Sequence, residues 1–210
     1  MHLTLIDTNP EVTDAWEKVF ADVPQVTVRL GSIFDYPADA LVSPANSFGY
    51  MNGGLDFVIS KNLGWHLEKD LQRVIREKYY GELLVGQAEV IATGHADFPY
   101  LIAAPTMRTP MTITRGPNVY LAMKAILQLL RYGQLATGEL ASEKIQRVAV
   151  PGLGTGVGQV RPLVCARQMR LAWEDVKQQK FATEAGWEEM CANYAYFYTH
   201  NRSDIKYDIY

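Results

Sequence analysis

Residues 40–56 read ALVSPANSFGYMNGGLD, and the rest of the chain can be understood from this stretch. It opens on the apolar run Ala40–Val42, whose length is typical of a buried strand. The chain then breaks at Pro44, passes through three glycines and continues from Leu55 as the start of a helix. A strand, a glycine loop and a helix in that order leave free backbone N–H groups at the helix N-terminus, where anions bind.

A second stretch repeats this arrangement. Residues 148–158 read VAVPGLGTGVG, a short apolar strand followed by four glycines within seven residues. Pro162 follows, and proline is favoured in the first turn of a helix. Two such units predict a ligand with two phosphates, or one pyrophosphate that is held from both sides. Neither loop fits a Walker A or a G-x-G-x-x-G pattern, which excludes these nucleotide fingerprints.

The composition is that of an ordinary globular protein. The chain has 210 residues, 48% of them hydrophobic and 20% charged, and this length suits one domain with a single core. A net charge of −3 gives no footprint for nucleic acid. With two scattered cysteines, no leader-like N-terminus and no run of about 20 apolar residues, we expect a cytoplasmic protein without a membrane partner. The four histidines show no metal-ligand spacing, so we expect neither metal nor cofactor.

Apolar periodicity predicts strands that alternate with helices, which is typical of a layered α/β domain. We expect strands at residues 2–7, 25–30, 39–43, 86–92, 100–104 and 147–150, and helices from Pro10 and at residues 55–62, 65–79, 118–132 and 162–180. Between them lies a long loop, residues 104–118. Its Arg108 or Arg115 either contacts a phosphate or the modified partner, or belongs to an ordinary solvated surface loop. We predict one domain over residues 1–210, whose aromatic extension, 187–210, docks on it or forms a recognition surface.

The two glycine stretches together resemble the macrodomain family, whose members bind ADP-ribose. Residues 45–47 and 52–56 are similar to the first ligand loop of that family, including the step from Asn46 to Asp56, and residues 150–157 resemble its second loop. Residues 31–33 and 86–88 also fall in register with family motifs. The resemblance implies a three-layer α/β/α fold with a central mixed β-sheet.

The resemblance also implies a set of site residues. In related hydrolases the positions of Asn46 and Asp56 are implicated in turnover, and we expect catalytic roles for both. The chain departs from the family at two ligand positions. Ser32 stands where many members have an acidic residue that binds the adenine amino group, and Asp35 is near but out of register. Gly158 stands where the family usually has an aromatic residue, and Phe48 or Tyr50 would supply that aromatic face instead. We expect ligand contacts from Ser32, Ile33, Ala45, Phe48, Gly53, Gly54, Leu55, Pro151, Gly152, Leu153, Gly154, Thr155, Gly156, Val157 and Gly158.

These residues predict a hydrolase that cuts an ester on the distal ribose of ADP-ribose, an ADP-ribosyl hydrolase or an O-acetyl-ADP-ribose deacetylase. Asp56 would orient or deprotonate a water, while the amide of Asn46 would hold ribose hydroxyls. A carboxylate in the first turn of a helix is also favoured by the helix dipole alone. The alternatives are therefore a module that binds ADP-ribose or another nucleotide without reaction, and a phosphatase acting on ADP-ribose 1″-phosphate.

Overall fold

The computed structural model describes residues 1–179 together with Gly186, Trp187 and Phe197. Its strands are β1 (His2–Asp7), β2 (Val26–Leu30), β3 (Ala40–Ser43), β4 (Glu89–Ala92), β5 (Tyr100–Ala103) and β6 (Arg147–Val150). Its helices are α1 (Pro10–Phe20), α2 (Gly54–Leu63), α3 (His66–Tyr79), α4 (Asn118–Tyr132), α5 (Ala141–Lys144) and α6 (Pro162–Trp173). A π-helical turn, Glu174–Gln178, continues α6.

The strands form one mixed sheet in the order β2-β1-β6-β3-β5-β4. Only the β4–β5 pair is antiparallel among the strands of the described residues. The registers pair Asp7 with Leu30 and Leu5 with Val150, so strands β1, β2 and β6 end at nearly the same height. Because parallel strands share one carboxyl edge, the loops that follow β1, β2, β3, β5 and β6 meet there.

Helices cover both faces of the sheet, which confirms the predicted three-layer α/β/α arrangement. One core lies between the sheet and α1, α4 and α6, where Trp16, Ile126 and Met169 are fully buried. The other core lies under α2 and α3 and contains Ile59 and Leu71. Strand residues alternate between the two cores, since successive side chains point to opposite faces of the pleat.

Local signals account for most helix boundaries. The Asn9 side chain accepts a hydrogen bond from the Glu11 N–H at 2.9 Å, and Pro10 occupies the first turn of α1. The observed helix α4 matches the predicted range, whereas α6 ends at Trp173 and gives way to the π-helical turn. Helix α5 was not predicted, because four residues are too few to show helical periodicity.

The predicted aromatic extension lies outside the described residues except for Trp187 and Phe197. The ring centroid of Phe197 lies 4.9 Å from that of Tyr120 in α4, and the Phe197 carbonyl accepts a hydrogen bond from the side chain of Gln168. The docked extension, and the single domain over residues 1–210, remain predictions. None of the helices among the described residues is long and apolar enough to cross a bilayer.

Candidate ligand cleft at the carboxyl edge of the sheet

A cleft of about 530 Å³ opens where the loops after β1, β2, β3, β5 and β6 meet. Its volume is in the range typical of small-molecule sites. Two walls dominate it. One is the loop between β3 and α2, residues 44–53, and the other is the glycine loop after β6, residues 151–158, which we call the second loop.

The first wall ends at the N-terminus of α2. Gly53 is the N-cap residue and has an extended backbone, but no side chain caps the helix. The first hydrogen bond of the helix runs from the Phe57 N–H to the Gly53 carbonyl, so the N–H groups of Gly54, Leu55 and Asp56 have no acceptor among the described residues. A Cβ at Gly53 or Gly54 would meet no atom within 4 Å. The backbone is therefore open to a ligand here.

The second wall presents a longer row of donors. No described residue accepts a hydrogen bond from the backbone N–H groups of residues 154–158. The loop itself is held near its two ends, because the Gly152 N–H donates to the Asp7 carboxylate at 3.0 Å and the Ile113 N–H donates to the Gly158 carbonyl at 2.9 Å. Five consecutive N–H groups without an acceptor among the described residues are typical of the backbone concavities in which proteins bind anions.

Asp56 lies at the base of the cleft in the first turn of α2, with 9% of its surface exposed. One of its carboxylate oxygens accepts a hydrogen bond from the hydroxyl of the fully buried Ser43, at the end of β3. Burial raises the pKa of Asp56 from its ordinary value of 3.8 to about 6, and the hydrogen bond from Ser43 opposes this rise. A carboxylate with such a pKa is ionised near neutral pH and accepts a proton readily.

Asn46 also lines the cleft, but its amide is bound within its own loop. The amide nitrogen donates to the Tyr50 carbonyl at 2.7 Å, and the amide oxygen accepts from the N–H groups of Phe48 at 3.1 Å and of Tyr50 at 3.3 Å. These bonds fix the turn that carries Tyr50 to the mouth of the cleft. An amide nitrogen has two N–H donors, so one remains for a ligand.

The cleft gathers all but two of the residues predicted from the sequence. Leu153 is instead fully buried in the core under α4 and α6. Phe48 packs against the Arg108 guanidinium, 5.0 Å from the ring centroid, and does not line the cleft. Of the two aromatic residues considered for the ribose face, it is Tyr50 that lines the cleft.

The long loop contributes side chains other than its arginines. Arg108 forms a bidentate ion pair with Glu82, at 2.7 and 3.2 Å, and neither it nor Arg115 lines the cleft. Thr106, Met107 and Pro110 of this loop do line it. Asp35 lies outside the cleft as well, because its carboxylate folds back to accept the Ser32 N–H at 2.7 Å.

Several other lining residues were not singled out by the sequence analysis. Asp7 is the last residue of β1, Thr8 follows it, and Thr106 and Met107 lie in the loop after β5. The strand order places all four at this edge, but strand order is not visible in one sequence. No group of three or more His, Cys, Asp or Glu side chains that would suit a metal ion occurs in the part of the chain that the structure describes.

Comparison with known proteins agrees with this architecture. The sequence model of the Macro domain family matches residues 42–169, a range that includes both walls of the cleft. The chain belongs to the Macro domain family. A protein of Aquifex aeolicus is 38% identical over 144 residues, which are 69% of this chain and 78% of that protein.

Solved macrodomains share the fold at low sequence identity. The macrodomain of Mycobacterium tuberculosis DarG matches with a TM-score of 0.56 and 20% identity, over 69% of this chain and 87% of that one. A mutant macrodomain of Oceanobacillus iheyensis, solved with ADPR, matches with a TM-score of 0.54 and 18% identity, over 68% and 73% of the two chains. Strands β1 and β2 lie outside the residues 42–169 that the family model matches, although Asp7 and Ser32 beside them line the same cleft.

Proposed function

We propose that this macrodomain binds ADP-ribose or a derivative of it and hydrolyses an ester on the distal ribose. The observation that carries the proposal is a pair of facing donor walls with a buried carboxylate at their base: the N-terminus of α2, residues 154–158, and Asp56. A diphosphate would accept hydrogen bonds from both walls. The Oceanobacillus iheyensis macrodomain, a relative in fold, was solved with ADPR, which supports the choice of ligand.

The hydrolysis assigns one role to each of two side chains. The Asp56 carboxylate takes a proton from a water, the water oxygen adds to the ester carbonyl, and the bond to the ribose oxygen breaks as that oxygen receives a proton. The products are a carboxylic acid and a free ribose hydroxyl. Asn46 shapes the loop and offers its remaining N–H to the ribose.

Binding is tested by calorimetric titration with ADP-ribose, with AMP and NAD as controls. We expect micromolar affinity for the unmodified protein and no detectable binding for Gly156→Val. Gly156 lines the cleft and a Cβ there would meet no protein atom within 4 Å, so the valine side chain would compete with the ligand for space. The same substitution should leave the melting temperature unchanged. A variant that still binds would contradict the assignment of the second loop.

Turnover is tested with O-acetyl-ADP-ribose and an ADP-ribosylated peptide carrying an ester link. General-base catalysis contributes roughly 100-fold to 10,000-fold, so Asp56→Asn should lower kcat by at least about 100-fold while ADP-ribose still binds. Asp14→Asn, which makes the same change on the exposed face of α1, is the matched control. Equal turnover by both variants would contradict the role of Asp56.

A binding module without catalysis is the second candidate, and one observation favours it. The Asn46 amide already makes three hydrogen bonds within its own loop, so it has little capacity left for holding a reacting ribose. A module of this kind binds ADP-ribose but shows no turnover even as the unmodified protein. Analysis of the products formed from ADP-ribose 1″-phosphate separates both candidates from a phosphatase.

A further inference from the structure

Asp7 is a carboxylate in the cleft that the proposed chemistry does not use. It is the last residue of β1 and lies between two parts of the site. Its backbone carbonyl accepts the Gly31 N–H at 2.9 Å, next to the loop that carries Ser32, and its carboxylate accepts the Gly152 N–H at 3.0 Å, at the start of the second loop. Asp7 is therefore hydrogen-bonded both to the end of β2 and to the start of the second loop.

The carboxylate of Asp7 has acceptor capacity to spare. One oxygen accepts from Gly152 and the other from the Asn9 N–H at 2.9 Å, which uses two of about four lone-pair positions. Within the described residues no lysine or arginine forms an ion pair with it. An ionised carboxylate repels a phosphate placed against it and attracts a hydroxyl or amino group. The lining of the cleft, which elsewhere presents hydrogen-bond donors of the backbone, therefore presents a hydrogen-bond acceptor at Asp7.

The covalent structure of a nucleotide decides which ligand group meets this acceptor. In a nucleoside diphosphate the ribose is bonded directly to the phosphate, so a phosphate on residues 154–158 places the ribose one group further along. Because Asp7 contacts both Gly152 and Gly31, a ribose on the β2 side of the second loop would lie beside Asp7. Ile6 and Ile33, next to Asp7 and Ser32 in the chain, line both the cleft and an adjoining groove of about 270 Å³, which offers room for a base.

We infer that the Asp7 carboxylate accepts a hydrogen bond from a hydroxyl of the nucleoside ribose and makes the cleft selective for ribonucleotides over their deoxy analogues. The inference rests on the proposed ADP-ribose site and names a specificity-determining residue for it. Dinucleotide-binding folds use an acid in the same chemical role on a ribose hydroxyl. Here the acid comes from a strand that lies outside the family match at residues 42–169.

The test compares four ligands by calorimetry: ADP, 2′-deoxy-ADP, 3′-deoxy-ADP and inorganic pyrophosphate. We expect the unmodified protein to bind ADP about tenfold more tightly than the analogue that lacks the contacted hydroxyl, since a hydrogen bond to a charged group has at least this effect. In Asp7→Asn this preference should fall to less than about twofold, because the charge that strengthens the bond is gone. Asp14→Asn, on the outer face of α1, should retain the full preference.

Binding of pyrophosphate shows whether Asp7 contacts the ligand or only holds the second loop in place. Pyrophosphate has no ribose, so Asp7→Asn should bind it as tightly as the unmodified protein or more tightly, as repulsion is removed. Equal losses of pyrophosphate and ADP in Asp7→Asn would overturn the inference and show that Asp7 only positions Gly152.

A second measurement needs no variant. If the unmodified protein binds ADP and both deoxy analogues equally well, the inference is wrong while the proposed site stands. If it binds neither ADP nor ADP-ribose, the proposed function fails and the inference fails with it.

Discussion

Replacing Asp56 by asparagine should stabilise the folded protein above pH 6. The substitution keeps the size of the side chain and leaves an oxygen that can accept the hydrogen bond from Ser43. It removes a negative charge from a site that is 9% exposed. Because burial disfavours the charged form, the ionised Asp56 destabilises the native state, and asparagine carries no such cost.

The magnitude follows from the pKa of Asp56 in the two states. The pKa is 3.8 when the group is solvated and about 6 in the folded protein, so the native state binds the proton more tightly. Stability therefore falls as the pH rises from about 4 to about 6 and is then constant with respect to this group. At about 1.4 kcal/mol for each pKa unit, the ionised carboxylate costs up to about 3 kcal/mol at pH 8. At pH 4 the cost is less than about 1 kcal/mol.

Thermal and urea unfolding of the ligand-free protein at pH 4 and pH 8 measure this difference. For a domain of this size, about 3 kcal/mol corresponds to a rise in Tm of roughly 6–12 °C at pH 8. Asp39→Asn is the control with the opposite sign. Burial tends to raise the pKa of Asp39, but hydrogen bonds from Arg147 and Gln146 lower it overall. This variant should therefore be less stable than the unmodified protein at pH 8, and the loss should shrink only as the pH falls below about 4.

We expect Asp56→Asn to have a higher free energy of unfolding than the unmodified protein at pH 8, with most of this gain absent at pH 4. If Asp56→Asn is equally stable or less stable than the unmodified protein at both pH values, the buried carboxylate does not carry the electrostatic cost assigned to it. A gain of the same size at both pH values would also refute the reasoning, because it would arise from packing and not from ionisation.

Two further predictions concern the second loop and the electrostatics of the cleft. Gly158→Ala should lower both the melting temperature and the affinity for ADP-ribose, because a Cβ there would lie 2.5 Å from the Gly154 carbonyl oxygen and 2.8 Å from Ile113. Thermal unfolding and calorimetry measure these two effects. An unchanged melting temperature would contradict the close packing at Gly158. Since no lysine or arginine among the described residues lines the cleft, ADP-ribose affinity should change less than about threefold between 50 and 500 mM salt, and a steep decrease would reveal a cationic contact.

The sequence was sufficient for the layers and for both walls of the cleft. Strand β6 and helix α4 have the predicted bounds, because apolar periodicity and proline or glycine breaks coincide at their ends. Asp56 and residues 151–158 were found from the pattern of strand, glycine loop and helix, which depends on local backbone chemistry alone. Such local signals can be recognised in the sequence without knowledge of the tertiary structure.

Features that depend on strand order could not be predicted in this way. Asp7 reaches the cleft because β1 lies next to β6, although Gly152 is 145 residues away along the chain. Phe48 was assigned to the ligand because Phe48 or Tyr50 would supply the aromatic face that is missing at Gly158, but Tyr50 lines the cleft and Phe48 packs against Arg108. The contacts of Asp7 with Gly152 and of Phe48 with Arg108 join distant segments, which one sequence does not display.

The distribution of charge in the cleft gives the ligand a direction. Unpaired backbone N–H groups of the described residues offer donors to a phosphate. The two carboxylates that line the cleft are Asp7, at the end of β1, and Asp56, in the first turn of α2. Because β6 lies between β1 and β3 in the sheet, the second loop separates these two acids. A ligand with phosphates in the middle and hydroxyl-bearing groups at both ends satisfies donors and acceptors at once, whereas a terminal phosphate would meet a carboxylate. Under the proposed function, the same separation would let one acid select the nucleoside while the other acts at the distal ribose.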